Sequence, residues 1–362
     1  MPERQGVIVG WDIGGAHAKA CLMVPGRIVD VAQWACPLWQ GLDHLERALA
    51  DAQARWPQMA GAHHALTMTG EMVDLFAHRE EGVQRIAALV AQRLGAVQCY
   101  AGDDGWVDVV DAGRQWAQIA SANWLATARH AARPLGNSAA EGVLVDIGST
   151  TCDLIAFRGG RVLTSARSDV DRLATGELVY HGVVRTPLCA LGPRIGFGGR
   201  MLNVMNELFA TTADVYRLTG ELNPAHDLYP PADGGAKDLE ATRRRLARMI
   251  GLDARDATPA DWLQMAHAWR AAQVAELGSQ LRRVALLHGL GDEALVVSAG
   301  CGDFLVADVM AAASLPEAPL QRCVRYASHV AGAAPEVAGW AQVCAPCVAV
   351  AALYQEHREE RR

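Results

Sequence analysis

The chain is nearly without lysine. Of its 33 basic residues only Lys19 and Lys237 are lysine, and the other 31 are arginine. A lysine retained in such a chain marks a place that calls for a compact ammonium and not a planar fork. A basic excess is lacking too: 33 basic against 40 acidic residues leave a formal charge of −7. That balance offers a phosphate backbone no footprint and argues against nucleic-acid binding. Long apolar runs are missing. The most apolar late stretch, residues 337–354, is broken by Gln342 and Pro346, so it reads as a buried loop and helix and no membrane association is expected. The opening Met1-Pro2-Glu3-Arg4-Gln5-Gly6 has no apolar core of signal-peptide type, and a cytoplasmic protein is expected. The nine cysteines are odd in number and scattered, the pattern of reduced thiols. Cys344-x-x-Cys347 has no second pair at zinc spacing and reads as two small core residues beside Pro346. What is present, 51% hydrophobic and 20% charged residues over 362 positions, is enough for about two folded domains.

An internal repeat organises those domains. Val7-Ile8-Val9-Gly10-Trp11-Asp12-Ile13-Gly14-Gly15-Ala16-His17-Ala18-Lys19 superposes without a gap on a second segment, Val143 to Asp153, at an offset of 134. Asp12 meets Asp146, Ile13 meets Ile147 and Gly14 meets Gly148; further on, Gly26-Arg27 meets Gly160-Arg161. Each copy reads as a strand ending in a carboxylate, a Gly-rich turn, a second strand, a Gly turn and a third strand. A repeat of this length predicts two related α/β domains. Glycines let such a turn run tightly with N–H groups facing an anion. Ser149, Thr150 and Thr151 add hydroxyls, and Lys19 a point charge. Carboxylates cannot bind phosphate directly, so Asp12 and Asp146 are expected to hold a hydrated Mg²⁺ or to orient water. Two such turns facing each other would clamp a di- or triphosphate.

Elsewhere, periodicity predicts helices over Gly41 to Arg55, Gly82 to Leu94 and Trp116 to Ala132, and a strand over Ala65 to Thr69. Arg133 to Ser138 reads as the domain boundary. Asp171 to Leu188 reads either as a substrate-facing loop and strand or as a surface hairpin. Glu221 to Lys237, rich in Pro, Gly and Asp, is a lid or a spacer. The basic row Arg243, Arg244, Arg245 and Arg248 is expected to be a solvated helix face paired with acids. Leu295 to Leu305 is a buried strand running into Gly300-x-Gly302, a third anion wall, and the helix from Cys347 to Arg358 is expected to pack back on the first domain.

These elements resemble the actin-like ATPase superfamily, with its duplicated ribonuclease H-like domains flanking a cleft. The closer resemblance is to the hydantoinase A and oxoprolinase family, in its short branch found beside tetrahydromethanopterin-linked one-carbon genes. It is carried by Trp11 to His17, Arg79-Glu80-Glu81-Gly82-Val83, Ala122-Asn123-Trp124, Asp146 to Thr151, Gly176 to Tyr180 and Arg185-Thr186-Pro187-Leu188. It implies residues 1–136 plus about 325–362 as the first actin-like domain, and 137–324 as the second, with a lid or insertion near 221–237. It further implies a transferase of methanofuran and methylofuran biosynthesis. That reaction joins an aminomethylfuran-methyl diphosphate to the phenol oxygen of γ-glutamyltyramine, or of a tyrosine-like phenol, and releases pyrophosphate. The chain departs from the branch at Cys301, at Gly70 where Ala is more usual, and at His78 where Lys is common.

The diphosphate is then expected on Gly14, Gly15, Gly148, Ser149, Thr150, Thr151, Gly300 and Gly302, with Lys19 and an Mg²⁺ on Asp12 or Asp146 neutralising the leaving charge. The phenol must lose a proton, and His17 and Asp153, then His181, are the candidate bases. Glu71, Arg79, Asn123, Glu177, Tyr180 and Arg185 are the implied substrate contacts. Two rivals stay open. An ATP-dependent kinase or hydantoinase-like hydrolase would form ADP. A non-catalytic nucleotide-binding module would tolerate Asp12→Asn and Asp146→Asn. Whether ATP binds, and whether the chain forms a homodimer, are open at this point.

Overall fold

The computed structural model describes residues 6–135, 140–291, 293–313 and 320–361. The opening residues 1–5 and the expected boundary at 136/137 lie outside them. The chain divides into two compact units. One takes Met1–Ala140, Phe157–Asp171 and Val324–Arg362; the other takes Glu141–Ala156 and Arg172–Cys323.

The first unit is built on six strands: β1 (Ile8–Ile13), β2 (His17–Val24), β3 (Arg27–Ala35), β4 (His63–Met68), β5 (Val97–Tyr100) and β6 (Trp106–Asp108). They lie in the order β3-β2-β1-β4-β5-β6. The β1–β2–β3 meander is antiparallel, and β4 runs parallel to β1. Every residue of β1 is buried, because the sheet is covered on both faces. On one face Val9, Trp11 and Ile13 meet Leu45, Leu49 and Ala52 of the helix Asp43–Arg55, and Val83, Ile86 and Val90 of the helix Arg79–Leu94. Their i, i+3/i+4 spacing puts those side chains on one stripe. On the other face lies the helix Ala345–Glu360, against β1, β2 and β4. Cys344 and Cys347 are fully buried here, and none of the nine cysteines is in a disulfide.

The second sheet begins with β7 (Glu141–Ile147), β8 (Cys152–Arg158), β9 (Arg161–Val162) and β10 (Leu178–Val179). The hairpin β11 (Arg194–Phe197) and β12 (Arg200–Asn203) stands apart, and β13 (Leu295–Ala299) and β14 (Arg322–Arg325) complete the set. The order is β10-β8-β7-β13-β14, with β9 on β8. The repeat holds in three dimensions. β1 ends at Ile13 and β7 at Ile147; β3 opens at Arg27 and β9 at Arg161. β4 runs parallel beside β1, as β13 does beside β7. The architecture is mixed α/β, with the strand–turn–strand of β1 to β3 repeated in β7 to β9.

Helix ends follow local chemistry. The helix Pro259–His288 starts on a Thr258–Asp261 capping box with Pro at its first position, and stops at Gly289 in the left-handed region. One helix departs from expectation. Residues 116–132 form two helices, Trp116–Ile119 and Asn123–Ala132, broken at Ser121 with φ of 51°. Among the described residues no single helix is long and apolar enough to cross a membrane. Pro335–Val343 and Ala345–Glu360 pass that test only jointly, bent by 106°.

Candidate functional site

The two Gly-rich turns close by the same bond. Gly14 N–H donates to the His17 carbonyl at 2.9 Å, and Gly148 N–H to the Thr151 carbonyl at 2.8 Å. The amides of Gly14 and Gly148, expected to face an anion, are therefore spent inside the turn. In the second turn the remaining donors are the hydroxyls of Ser149, Thr150 and Thr151 and the amides that follow Gly148.

In the second unit three distant segments meet at that turn. The β13–β7 register sets Ala299 beside Asp146, so Gly300 follows directly. Gly300 has φ of +87°, and a Cβ there would lie 2.2 Å from the Ile147 carbonyl oxygen and 2.6 Å from Asp146 Oδ1. Gly302 N–H donates to that carbonyl at 2.8 Å. From the other side, a Cβ on Gly182 would lie 2.3 Å from the Thr150 nitrogen. The amides of Val184 and Arg185 donate to the Ser149 carbonyl at 3.1 and 2.8 Å, and Val183 N–H to that of Gly148 at 3.1 Å. Gln273 Nε2 then holds the Gly182 carbonyl at 3.0 Å while Tyr216 donates to its Oε1 at 2.6 Å. Residues 171–188 are thus a loop and short strand that brace the turn, and not the plain surface hairpin of the other reading. Exposed Arg185 and Tyr180 stand on that brace.

Two expected residues serve other ends here. Glu177 is wholly buried, bonded to His288 Nε2 and Thr175 Oγ1, both at 2.8 Å, so it cannot present its carboxylate to a substrate. Asp153 pairs with buried Arg172, which ties the helix Asp169–Thr175 to β8 and engages the carboxylate in an ion pair. His181 is half-buried, and burial lowers its imidazole pKa against the pull of Glu276. Residues 221–237 are pinned as a spacer: Asp227 meets Arg217 and Lys237, and Asp233 meets Arg245. Arg245 has no exposure at all, so the row of arginines is not wholly solvated.

In the first unit Asp12 is 3% exposed, with Lys19 Nζ 3.6 Å from Oδ2. Its Oδ1 is buried without a hydrogen-bond partner, as is Oγ1 of Thr67, its register neighbour on β4. Burial raises the Asp12 carboxyl pKa and Lys19 opposes the rise. His17 is 5% exposed and contributes its carbonyl to the turn. Just beyond β4, Thr69 N–H donates to the Ile13 carbonyl at 2.9 Å, which brings Gly70 and Glu71 beside the first turn. Glu71 is 1% exposed; Ser121 Oγ donates to its Oε1 at 2.8 Å, while Oε2 is buried with no hydrogen-bond partner. That bond is made at the residue where the expected helix breaks. Burial pushes the Glu71 carboxyl up to about 7, against the bond from Ser121. Arg79 pairs with Asp169 at 3.2 Å nearby, and His78 caps its helix by accepting from Glu81 N–H at 3.2 Å. Asn123, half-buried, opens the helix that follows Ser121.

Among the described residues no three His, Cys, Asp or Glu side chains are grouped to cage a metal. Mg²⁺ does not need such a cage; it keeps several waters and takes one or two carboxylates plus substrate phosphate. Asp146, half-buried at the cradle, fits that donor set. Asp12 fits it poorly, since one oxygen faces Lys19 and the other is sealed by burial.

The Hydantoinase/oxoprolinase family model matches residues 63–335. A protein of Methanocaldococcus jannaschii named (4-{4-[2-(γ-L-glutamylamino)ethyl]phenoxymethyl}furan-2-yl)methanamine synthase is 28% identical over 305 residues, covering 84% of this chain and 88% of its own. A Methanococcus vannielii protein of the same name is 27% identical over 168 residues, 46% of this chain and 74% of its own. In three dimensions the nucleotide-free structure of an acetone carboxylase matches with a TM-score of 0.52 at 12% identity, covering 83% of this chain and 66% of that one. That last likeness is one of fold alone.

Proposed function

Because the chain belongs to the hydantoinase/oxoprolinase family, we propose that it is an enzyme catalysing the condensation for which its methanogen relatives are named. Its substrates are then an aminomethylfuran-methyl diphosphate and the phenol of γ-glutamyltyramine or a tyrosine-like acceptor. The bond between the furfuryl carbon and the diphosphate oxygen breaks, with the electron pair leaving on pyrophosphate. The phenolic oxygen forms the aryl ether, and its proton passes to a base.

The observation that carries this reading is the three-segment cradle around Gly148 to Thr151. A carboxylate and a row of hydroxyls are held there by braces 34 and 152 positions on, at Gly182 and Gly300. Pre-placed donors suit a charge that grows on a leaving group, because they need no reorganisation as it forms. The hydroxyls of Ser149, Thr150 and Thr151 would hold the terminal phosphates, and Arg185 would add a planar donor fork. Asp146 would hold Mg²⁺, which when bound neutralises diphosphate charge. Lys19, paired with Asp12, supports the first turn. The furan oxygen can share the positive charge that develops on its exocyclic carbon, so the group most in need of help is the departing diphosphate.

Incubating the purified protein with the furan diphosphate and γ-glutamyltyramine tests the proposal. Pyrophosphate release and an ether of the expected mass should appear together, without ADP when ATP is added. Neither product, from protein that still melts cooperatively, would remove the synthase reading.

A further inference from the structure

Segment 221–237 carries one of the two lysines that the chain retains. Lys237 Nζ donates to the Asp227 carbonyl at 2.5 Å and lies 3.1 Å from Asp227 Oδ2. Two contacts from one nitrogen to one residue suit a compact ammonium better than a planar fork. Arg217 Nη2 donates to the same carboxylate at 2.5 Å, and Arg245 Nη1 donates to Asp233 at 3.1 Å. Between those pins lies half-buried Tyr229, two positions after Asp227. The same unit carries Arg185 on the brace of the cradle, where its amide donates to the Ser149 carbonyl at 2.8 Å. The β10–β8 register sets Val179 beside Cys152, so Tyr180 follows at the level of Thr151. Burial lowers the Arg185 pKa, and the phenols of Tyr229 and Tyr180 oppose the fall. Phenols from two distant segments therefore bear on one arginine beside the hydroxyl turn.

We propose that Tyr229 is a positioning residue for Arg185: held by the Lys237–Asp227 pin, it fixes the guanidinium beside the Ser149 to Thr151 hydroxyls, where the fork grips the terminal phosphate of a bound diphosphate. The role rests on the cradle holding a diphosphate, as read above. Tyr180 belongs to the brace itself and moves with Arg185. Tyr229 comes from outside the brace, so it can hold the guanidinium against that movement. A phenol suits the task by its charge. Protonated at neutral pH, it offers an N–H donor an acceptor oxygen and leaves the guanidinium its full positive charge for phosphate. A carboxylate in the same place would neutralise that charge. An arginine side chain also surrenders rotamer freedom when it binds, and one whose fork is already placed surrenders less.

The test is a double-mutant cycle read by calorimetric titration of the full chain with pyrophosphate and Mg²⁺. Arg185→Ala should weaken binding by at least about 10-fold. Tyr229→Phe removes only the hydroxyl and should weaken it by about 2–10-fold, with a melting temperature that matches wild type. Made in the Arg185→Ala background, Tyr229→Phe should cost nothing further. Lys237→Met should reproduce the loss seen in Tyr229→Phe and add nothing to it in the double variant. A tyrosine that merely supported the fold would weaken binding equally in both backgrounds, and that result overturns the assignment. So does an unchanged affinity in Tyr229→Phe or in Lys237→Met. If Tyr180→Phe alone couples to Arg185, Tyr180 holds the fork and Tyr229 does not. Wild type that binds no pyrophosphate removes the cradle reading and this role with it, whereas wild type that binds, beside an Arg185→Ala that binds as tightly, removes only the role.

Discussion

Replacing Gly300 with Ala should separate backbone strain from displacement of the anion cradle. At φ of +87° an L-residue is strained, by about 1–2 kcal/mol. The added methyl would also stand 2.2 Å from the Ile147 carbonyl oxygen and 2.6 Å from Asp146 Oδ1. Backbone cannot rotate away as a side chain can, and overpacking of this kind costs about 1–3 kcal/mol more. Gly199 supplies the control. It lies at the tip of the β11–β12 hairpin with φ of +73°, and a methyl added there would meet nothing within 4 Å, so Gly199→Ala carries the strain alone. The difference between the two variants is thus about 1–3 kcal/mol. For a unit of this size that corresponds to a melting temperature roughly 2–12 °C lower for Gly300→Ala than for Gly199→Ala. Thermal melts with and without pyrophosphate and Mg²⁺ read both effects. Gly199→Ala should keep its ligand-induced rise and Gly300→Ala should lose most of it, because Asp146 must move. Equal melts, or an undiminished rise in Gly300→Ala, would show that the Gly300 turn does not press on Asp146 and would refute the cradle.

Asp146→Asn should abolish the Mg²⁺-dependent part of pyrophosphate binding while leaving the melting temperature nearly unchanged, as calorimetric titration with and without the metal would show. Arg245→Met strands Asp214, which is 1% exposed and bonded to Arg245 Nε at 2.8 Å. Breaking a buried pair costs about 3–5 kcal/mol, here towards the lower end because Arg217 also reaches Asp214 at 2.8 Å; adding Asp214→Asn should recover part of the loss in urea unfolding. Stability should fall below pH 6.5. His64 and His130 are pushed by burial from 6.5 to about 4, so between those values the unfolded chain binds protons that the native chain refuses. Stability therefore rises with pH through that window, by at most about 3 kcal/mol per histidine. Glu71 acts oppositely: its carboxyl, raised from 4.5 to about 7, favours the native state most below 4.5 and loses that contribution as pH climbs through 7. A melt series from pH 4 to 8 should thus rise and then flatten or dip, and Glu71→Gln should remove the dip.

What could be read in the residues and what could not divide along chain distance. The duplicated strand–turn–strand was legible because Asp, Ile and Gly at one spacing encode both the end of a strand and a turn that closes on itself three residues later. The bonds Gly14 to His17 and Gly148 to Thr151 are that code in three dimensions. The same locality misled over which amides remain for a ligand, since it is the closure that consumes the first glycine's donor. Glu177 and Arg245 were misjudged for the opposite reason. Glu177 stands in a motif beside exposed Tyr180, but its partner His288 is 111 positions away; Arg245 stands in a basic row, but Asp214 is 31 positions away. Neither alternation nor periodicity carries a partner's identity across such gaps.

Ser121 shows how the two scales compete. The helical pattern of residues 116–132 runs straight through it, and local preference alone would keep one helix. Instead Ser121 takes a left-handed backbone, donates to Glu71 50 positions earlier, and lies between two separate helices. A sequence whose local rules fail at one residue is expected to do so where function imposes a cost. The failure falls at the residue that holds a buried carboxyl, and it bends the chain so that Asn123 opens a new helix two positions on. If Ser121→Ala were to leave both the helix break and the pH dependence of melting unaltered, the hydroxyl would not be what sets this geometry.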